Sequence, residues 1–464
     1  MATQQSKYDL LRATYPVFVY ESFQYDVQAD GLHIAFSFHA GKDVSFHPES
    51  VIPMRTFLRR NLSSDTLNTL VFNIGMAELV SYWKCVCSPL VEVRCGTLCA
   101  DQCAFWQKLY FHGLGEFFYL NGITADESDF MTIHSSGPCW KKVDVALDAD
   151  RYLVPIGGGK DSVVTLEALS DDGDDASSTG KEKVLPLIMN PRGATELCAL
   201  RAGYPIEEVF VIRRTIDARL LELNAQGFLN GHTPFSALLA FYTLLASALT
   251  GRGRIALSNE SSANESTVKG SDVNHQYSKS FEFENDFREY VSRFVGESFA
   301  YFSFLRPLSE LQIALLFSGL TKYHDVFKSC NAGSKEDKWC GHCSKCLFAF
   351  IILSPFLSPE TLQSIFGRNL LDDASLETYF RQLNGAETSK PFECVGTIDE
   401  VNSALAMTIA RHYPTRESRP FLLRDYVSQP IRTSLTAFDE HHNLLPHEVK
   451  LLRTFLERNL NEQL

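Results

Sequence analysis

Positive charge is scarce in this sequence: 43 Lys and Arg stand against 56 Asp and Glu, a formal net charge of −13. That balance excludes a surface built to coat nucleic acid, although a local basic pocket remains compatible with it. Long hydrophobic runs are missing too. No uninterrupted apolar stretch reaches the roughly 18 residues that a membrane-spanning helix needs, so no membrane partner is expected. The opening residues Met1-Ala2-Thr3-Gln4-Gln5 lack the apolar region of a secretory leader, and the chain reads as cytoplasmic. In such a compartment the twelve cysteines are expected as free thiols or metal ligands, not disulfides. What is present is ample core material. Hydrophobic residues make up 45% and charged residues 21%, which excludes a disordered chain, and 464 residues accommodate roughly three domains.

Residues 15–53 carry strand composition, with alternation over Leu32–Phe38 and turn signals at Asp30-Gly31 and Gly41-Lys42-Asp43, and predict a small antiparallel sheet. Leu67, Leu70, Val71, Ile74 and Ala77 recur at steps of three and four and predict a helix over 66–88. A second helix is predicted over 98–111. The C-x3-C-x3-C run of Cys95, Cys99 and Cys103 invites a metal reading, but at helical spacing it reads better as one buried face of small apolar residues.

From about residue 150 strands and helices alternate. Apolar strands are predicted at 152–156, 184–189, 209–212 and 254–258, and helices from Ser162 and over 234–249, with a solvated acidic loop at 171–180. Such alternation implies an α/β fold, a mostly parallel sheet with helices on both faces. After Pro355 the chain reads as helical, without a repeat. The expected division is an N-terminal α+β domain over 1–147, an α/β domain over 148–325, and a cysteine knuckle with a helical region over 326–464.

The most informative segment is Gly157-Gly158-Gly159-Lys160-Asp161-Ser162, between a predicted strand and a predicted helix. Consecutive glycines let backbone N–H groups approach an anion, and the helix N-terminus adds its dipole. Ser162 adds a hydroxyl donor and Lys160 a compact positive charge. Asp161 would repel a phosphate unless a divalent cation lay between them, which implies Mg2+. The segment is not a Walker loop, because Asp161 follows the lysine where that motif needs Ser or Thr.

Ligands of open parallel sheets bind beyond the carboxyl ends of strands. Those positions hold Asn190 and Arg192, Arg213 and Arg214, and Asn259 and Glu260. Each suits an ordinary turn as well, and their joint placement marks Asn259 and Glu260 most. His275 and Lys279 sit in a polar loop that faces either substrate or solvent. Cys330, Cys340, Cys343 and Cys346 have the spacing C-x9-C-x2-C-x2-C, which suits a tetrahedral Zn2+, with His342 as a substitute ligand. An iron–sulfur cluster is the rival, although the Cys-Pro that ferredoxins add is absent.

The glycine loop resembles the PP-loop of ATP pyrophosphatases, usually Ser-Gly-Gly-x-Asp-Ser. Gly157 replaces the serine, so one hydroxyl contact is lost. A similar cysteine knuckle follows the PP-loop domain in 7-cyano-7-deazaguanine synthases. Phe105-Trp106-Gln107-Lys108-Leu109-Tyr110, Gly113-Leu114-Gly115-Glu116-Phe117-Phe118 and Lys390-Pro391-Phe392-Glu393-Cys394-Val395-Gly396 extend the match. Together these segments resemble the UDP-N-acetylmuramoyl-L-alanyl-L-glutamate epimerases of peptidoglycan synthesis over nearly the whole chain.

That resemblance implies a PP-loop α/β fold and an ATP- and Mg2+-dependent inversion of the terminal L-Glu of UDP-MurNAc-L-Ala-L-Glu, releasing AMP and pyrophosphate. Gly157 to Ser162, Asn190, Arg192 and Asn259 would bind nucleotide, with Lys160 and Asp161 also acting in catalysis. Glu260, His275, Glu393 and Cys394 are the candidates for moving the proton. Lys269, Arg213 and Arg214 would neutralise the anionic substrate. The alternatives are another PP-loop adenylating enzyme, such as a deazaguanine synthase-like amidator, or a non-catalytic nucleotide-binding module.

Overall fold

Alternating apolar side chains over residues 17–53 need one covered face, and the chain provides it. The protein, a computed structural model, is described over residues 4–59, 62–171, 180–334 and 336–463. Its strands, in chain order, are β1 (Val17–Val27), β2 (Gly31–Ala40), β3 (Val44–Phe46), β4 (Glu49–Pro53), β5 (Leu90–Val93), β6 (Thr132–Ser135), β7 (Asp148–Pro155), β8 (Val184–Met189), β9 (Phe210–Thr215), β10 (Arg252–Leu257) and β11 (Ala300–Ser303). The chain divides into two compact units. Unit 1 comprises Met1–Leu153, Phe210–Ile255 and Asp272–Tyr301; unit 2 comprises Val154–Val209, Ala256–Ser271 and Phe302–Leu464.

In unit 1, β1, β3 and β4 each pair antiparallel with β2, as the alternation predicts, and β9 pairs antiparallel with β4. Beyond the predicted sheet, β5 joins β1 and β6 joins β5, both parallel; β7 and β10 also pair in parallel. The helix Ser64–Trp83 packs on β1 and β2 and against the helix Phe235–Thr250. It is apolar nearly all round, as a helix buried on several sides must be. Its ring contacts set the fit: Phe72 stacks on Tyr20 at 5.9 Å, and Tyr82 meets Phe46 at 4.9 Å. Gly75 is required there, because a Cβ would fall onto the Tyr20 hydroxyl.

That helix stops at Trp83, short of the predicted residue 88. The N–H groups of Cys85, Val86 and Cys87 fold back onto Tyr82 and Trp83 carbonyls, and Cys87 adopts a left-handed conformation (φ 52°). The expected buried cysteine face is corrected. Cys95 precedes the helix Ala100–Gly113, and Cys99 is its exposed N-cap, where Gln102 accepts from its N–H at 3.1 Å. Only Cys103 lies within that helix, and it is half-buried.

Unit 2 is built around the helix Glu310–Gly319, buried from Glu310 to Ser318 and packed against the helices Lys160–Ser170, Ser344–Leu353, Ile398–His412 and Pro446–Gln463. The region after Pro355 is helical as expected, with no strand among the described residues. The loop expected at 171–180 falls, over 172–179, outside the described residues, as do residues 1–3 of the polar start. No helix among the described residues is long and apolar enough to cross a membrane.

One polar pair in unit 1 is largely buried. Arg214 on β9 donates through Nε to both carboxylate oxygens of Glu78, at 2.7 and 3.0 Å, and Glu78 is 1% exposed. Burial raises the Glu78 pKa and the Arg214 charge opposes that rise. Arg214→Ala would leave an uncompensated carboxylate in the core and should lower stability by about 3–5 kcal/mol. Urea unfolding at pH 7 measures this, and the deficit should shrink at acidic pH as the stranded Glu78 takes up a proton. A loss below about 1 kcal/mol would show the pair to be dispensable.

Candidate functional site

The glycine loop leaves the end of β7, where Ile156 donates to the Leu187 carbonyl of β8 at 2.8 Å. Each glycine has its own reason. A Cβ on Gly157 would meet nothing within 4 Å, so this backbone faces open space. Gly158 is left-handed (φ 80°), and a Cβ there would press at 3.1 Å on the Ala194 Cβ and the Thr195 N. Gly159 is the N-cap of the helix Lys160–Ser170. The carbonyls are held from behind: Lys328 N–H donates to Gly158 O at 2.8 Å and the Arg192 guanidinium to Gly157 O at 3.3 Å. Loop and helix N-terminus together present donors and a positive dipole end to an anion. Asn190, left-handed at φ 53°, and Arg192, the N-cap of the helix Gly193–Arg201, line the neighbouring turn.

Beneath the loop lies a concentration of buried charge. The Lys160 ammonium pairs with both Asp161 and Glu310. Oxygens of Asp161, Glu260 and Glu310 lie within 4.8 Å of one another. Glu400 accepts the Glu310 backbone N–H at 2.7 Å, and buried Arg306 donates to the Glu260 carbonyl at 2.6 Å. Asn259 donates to Ser303 Oγ at 3.0 Å, an oxygen that also accepts from Arg306. Burial disfavours charge on Lys160, but Asp161 and Glu310 raise its pKa above that of an ordinary lysine. Burial pushes Glu310 well up, and Lys160 only partly offsets this; burial raises Glu400 as well. Around the cluster of Asp161, Glu260, Glu310 and Glu400, Lys160 is the cation that pairs with carboxylates, with Asp161 and Glu310. Three converging carboxylates are suitable oxygen ligands for a hard divalent cation.

The segment 390–396 runs past this cluster. A Cβ on Gly396 would meet Glu400 Oε2 at 2.8 Å and Glu310 Cγ at 3.3 Å. Lys390 is anchored by Glu265, and Glu393 accepts from Asn331 Nδ2 at 2.7 Å. Cys394, the next residue, is half-buried.

Asn331 follows the first knuckle cysteine. The sulfurs of Cys330 and Cys343 lie 3.8 Å apart, Cys340 and Cys346 3.7 Å, and Cys343 and Cys346 3.5 Å. Four sulfurs about 2.3 Å from one zinc ion would be about 3.8 Å apart, so the set fits a single tetrahedral ion. Sulfurs bound to different irons of a cluster would be spread wider. His342 is exposed and outside the set. Hydrogen bonds from Cys346 and its neighbours lower the Cys343 pKa, while Cys346 is pushed up. The same loop reaches the helix beside the glycine loop, since Asp337 accepts from Ala194 N–H at 2.7 Å.

The remaining sequence candidates lie elsewhere. His275 belongs to unit 1, where its Nδ1 meets Glu116 at 2.5 Å; His232 Nδ1 lies 3.6 Å from the same carboxylate. Lys279 is half-buried in the same loop. Arg213 is exposed on β9, and Arg214 is committed to Glu78. Lys269 is exposed in unit 2. Sequence reasoning missed Glu310, Glu400 and Arg306 in unit 2 and His232 in unit 1, and it took Glu116 only as part of a matching segment. Glu400 had a local signal, the Thr397-x-x-Glu400 capping box, which advertises a helix start and nothing more.

Two family models match the chain, the MurL N-terminal domain over residues 10–304 and the MurL C-terminal domain over residues 326–435. Among curated relatives, a protein of Xanthomonas oryzae pv. oryzae (strain MAFF 311018) named UDP-N-acetyl-alpha-D-muramoyl-L-alanyl-L-glutamate epimerase is 38% identical over 398 residues, covering 83% of this chain and 84% of its own. Proteins of the same name from Salinispora tropica and a Micromonospora species are 37% and 35% identical; each alignment covers 74% of this chain and 73% and 75% of theirs. No solved structure matches.

If the knuckle holds zinc, metal analysis of purified protein should find about one zinc per chain. Cys343→Ser should lower metal content and melting temperature together, because a structural zinc contributes folding free energy directly. Iron with visible absorbance, or no metal at all, would overturn the assignment.

Proposed function

The chain belongs to the MurL family, and from that premise we propose that it is an ATP-dependent epimerase. It inverts the terminal L-Glu of UDP-MurNAc-L-Ala-L-Glu to D-Glu through an acyl-adenylate, with release of AMP and pyrophosphate. One observation carries the nucleotide half of this reading. The glycine loop Gly157–Ser162 opens a helix whose N-terminus suits an anion, and its Asp161 converges with Glu260 and Glu310 in a set suited to a divalent cation.

The chemistry explains why an epimerase needs ATP. The Cα–H beside a free carboxylate is very weakly acidic, because its conjugate base would carry a second negative charge. Adenylation removes the first charge and gives an acyl group into which the carbanion can delocalise. In this reading the loop N–H groups and Ser162 hold the phosphates, and Lys160 balances charge as pyrophosphate departs. Asp161, Glu260 and Glu310 would hold Mg2+, which when bound would screen the triphosphate from these carboxylates. Arg192 and Asn259 border the nucleotide. Glu260, with Ser262 donating to it at 2.9 Å, is thereby assigned to the cation and not to the proton.

Two groups must move the proton, one on each face of Cα. Glu393 and Cys394 are the proposed pair, because their segment passes the carboxylate cluster. His275 is the second reading, favoured by Glu116, which stands where it can orient the ring and stabilise its charged form.

In D2O with ATP and Mg2+, deuterium should enter Cα of the terminal glutamate as the L centre becomes D. Omitting ATP, or supplying a non-cleavable α,β-analogue, should stop exchange. Mass spectrometry of recovered substrate reads the result; equal exchange without ATP would refute the adenylate mechanism. Asp161→Asn should reduce pyrophosphate release at least about a hundredfold while the fold persists. Near-normal release would make the loop a plain turn.

A further inference from the structure

Three lysines are buried among the described residues: Lys84, Lys160 and Lys390. Lys160 pairs with Asp161 and Glu310, and Lys390 pairs with Glu265. Lys84, 7% exposed, has no carboxylate within ion-pair distance among the described residues; its ammonium donates to the Gly231 carbonyl at 2.6 Å. Glu78, on the helix that Lys84 ends, is committed to Arg214. An ammonium carries three donors, so two remain beyond the Gly231 bond. A buried cation with no counter-charge is costly, so such a lysine either gives up its proton or takes an anion.

What adjoins it is open space. Lys84 lines a cavity of about 190 Å³ in unit 1, together with the Ser81 and Thr233 hydroxyl-bearing residues and the apolar side chains of Ile216, Leu220 and Phe235. Ile216 and Phe235 are 46% and 47% exposed, so the cavity has an apolar mouth above a cationic wall. An apolar cavity of about 150 Å³ accepts a benzene-sized molecule, so this one suits a ligand of about seven heavy atoms. Lys84 also caps the carbonyl end of the helix Ser64–Trp83, whose dipole favours keeping the cation there.

We propose that this cavity is a binding site for a small organic carboxylate, its anionic head on the Lys84 ammonium and its short apolar body between Leu220 and Phe235. The site is independent of the nucleotide loop, and its test does not depend on epimerase activity.

Burial lowers the Lys84 pKa to about 8. The charged and titratable groups around it are Cys85, Cys87, Arg214 with its Glu78, and, on the segment that holds Gly231, His232, which faces Glu116. Burial raises Cys85 to about 12 and Cys87 well above its ordinary value, so neither thiol ionises between pH 7 and 9. Carboxylate affinity should therefore be highest below about pH 8 and fall as Lys84 loses its proton.

The experiment is calorimetric titration of the full chain with pentanoate, with 1-pentanol as the uncharged control and inorganic phosphate as the charge without a body. Pentanoate should bind once per chain, at least about tenfold more tightly than either control, since a charge-assisted bond to a buried ammonium is lost in one control and apolar contact in the other. Its affinity should drop several-fold between pH 7 and 9. Lys84→Met should weaken it at least about tenfold. Leu220→Trp, which fills the cavity and leaves Lys84 in place, should do likewise. Equal affinity for pentanoate and pentanol, a flat pH profile in the wild type, or unchanged binding in a folded Lys84→Met protein would each overturn the proposal. If Lys84→Met fails to fold, the wild-type pH profile and Leu220→Trp decide.

Discussion

The Lys160 ammonium is the fixed point of unit 2. It enters at the first turn of the helix that the glycine loop opens, and it meets a carboxylate from the next residue and another from the helix Glu310–Gly319. Burial at this place makes every uncompensated charge expensive. The surrounding groups are therefore locked into roles: Glu400 takes the Glu310 backbone N–H, and Arg306 takes the Glu260 carbonyl. The converging carboxylates create a demand for positive charge beside a loop whose helix N-terminus favours an anion.

The knuckle supports that arrangement from one side. Lys328 bonds to Gly158 just before Cys330, and Asp337 accepts an N–H from the first turn of the helix against which a side chain at Gly158 would press. A tetrahedral ion would stiffen a segment with little regular structure of its own, and through these contacts it would stiffen the back of the anion cradle. Asn331, one residue past Cys330, also steadies Glu393.

Much of this was legible in the sequence wherever the signal was local. Three glycines before Lys-Asp-Ser announce a strand-to-helix turn with open backbone, and four close cysteines announce a tetrahedral set, because the residues that act together are neighbours in the chain. Glu310 escaped notice for the opposite reason. Behind Ser309, in a capping box closed by Gln312, it looks like an ordinary first-turn acid, and its partner Lys160 lies 150 residues away. Glu116 and His232 also meet only through the fold. The Cys95–Cys103 run misled because a period of four was taken for a helix face, whereas the helix begins only after Cys99. The end of the helix at Trp83 was hidden by the backbone of Cys87, in a conformation that no residue type there requires.

The same separation has a bearing on synthesis. Unit 2 is assembled from three stretches of chain, and unit 1 is likewise interrupted. At about 5–20 residues per second, the 150 residues between Lys160 and Glu310 take on the order of ten seconds or more to emerge from a ribosome. Throughout that interval the glycine loop has been made, yet the long buried helix that receives its lysine has not. A nascent product arrested before residue 310 would therefore carry the whole glycine loop without the helix that receives its lysine.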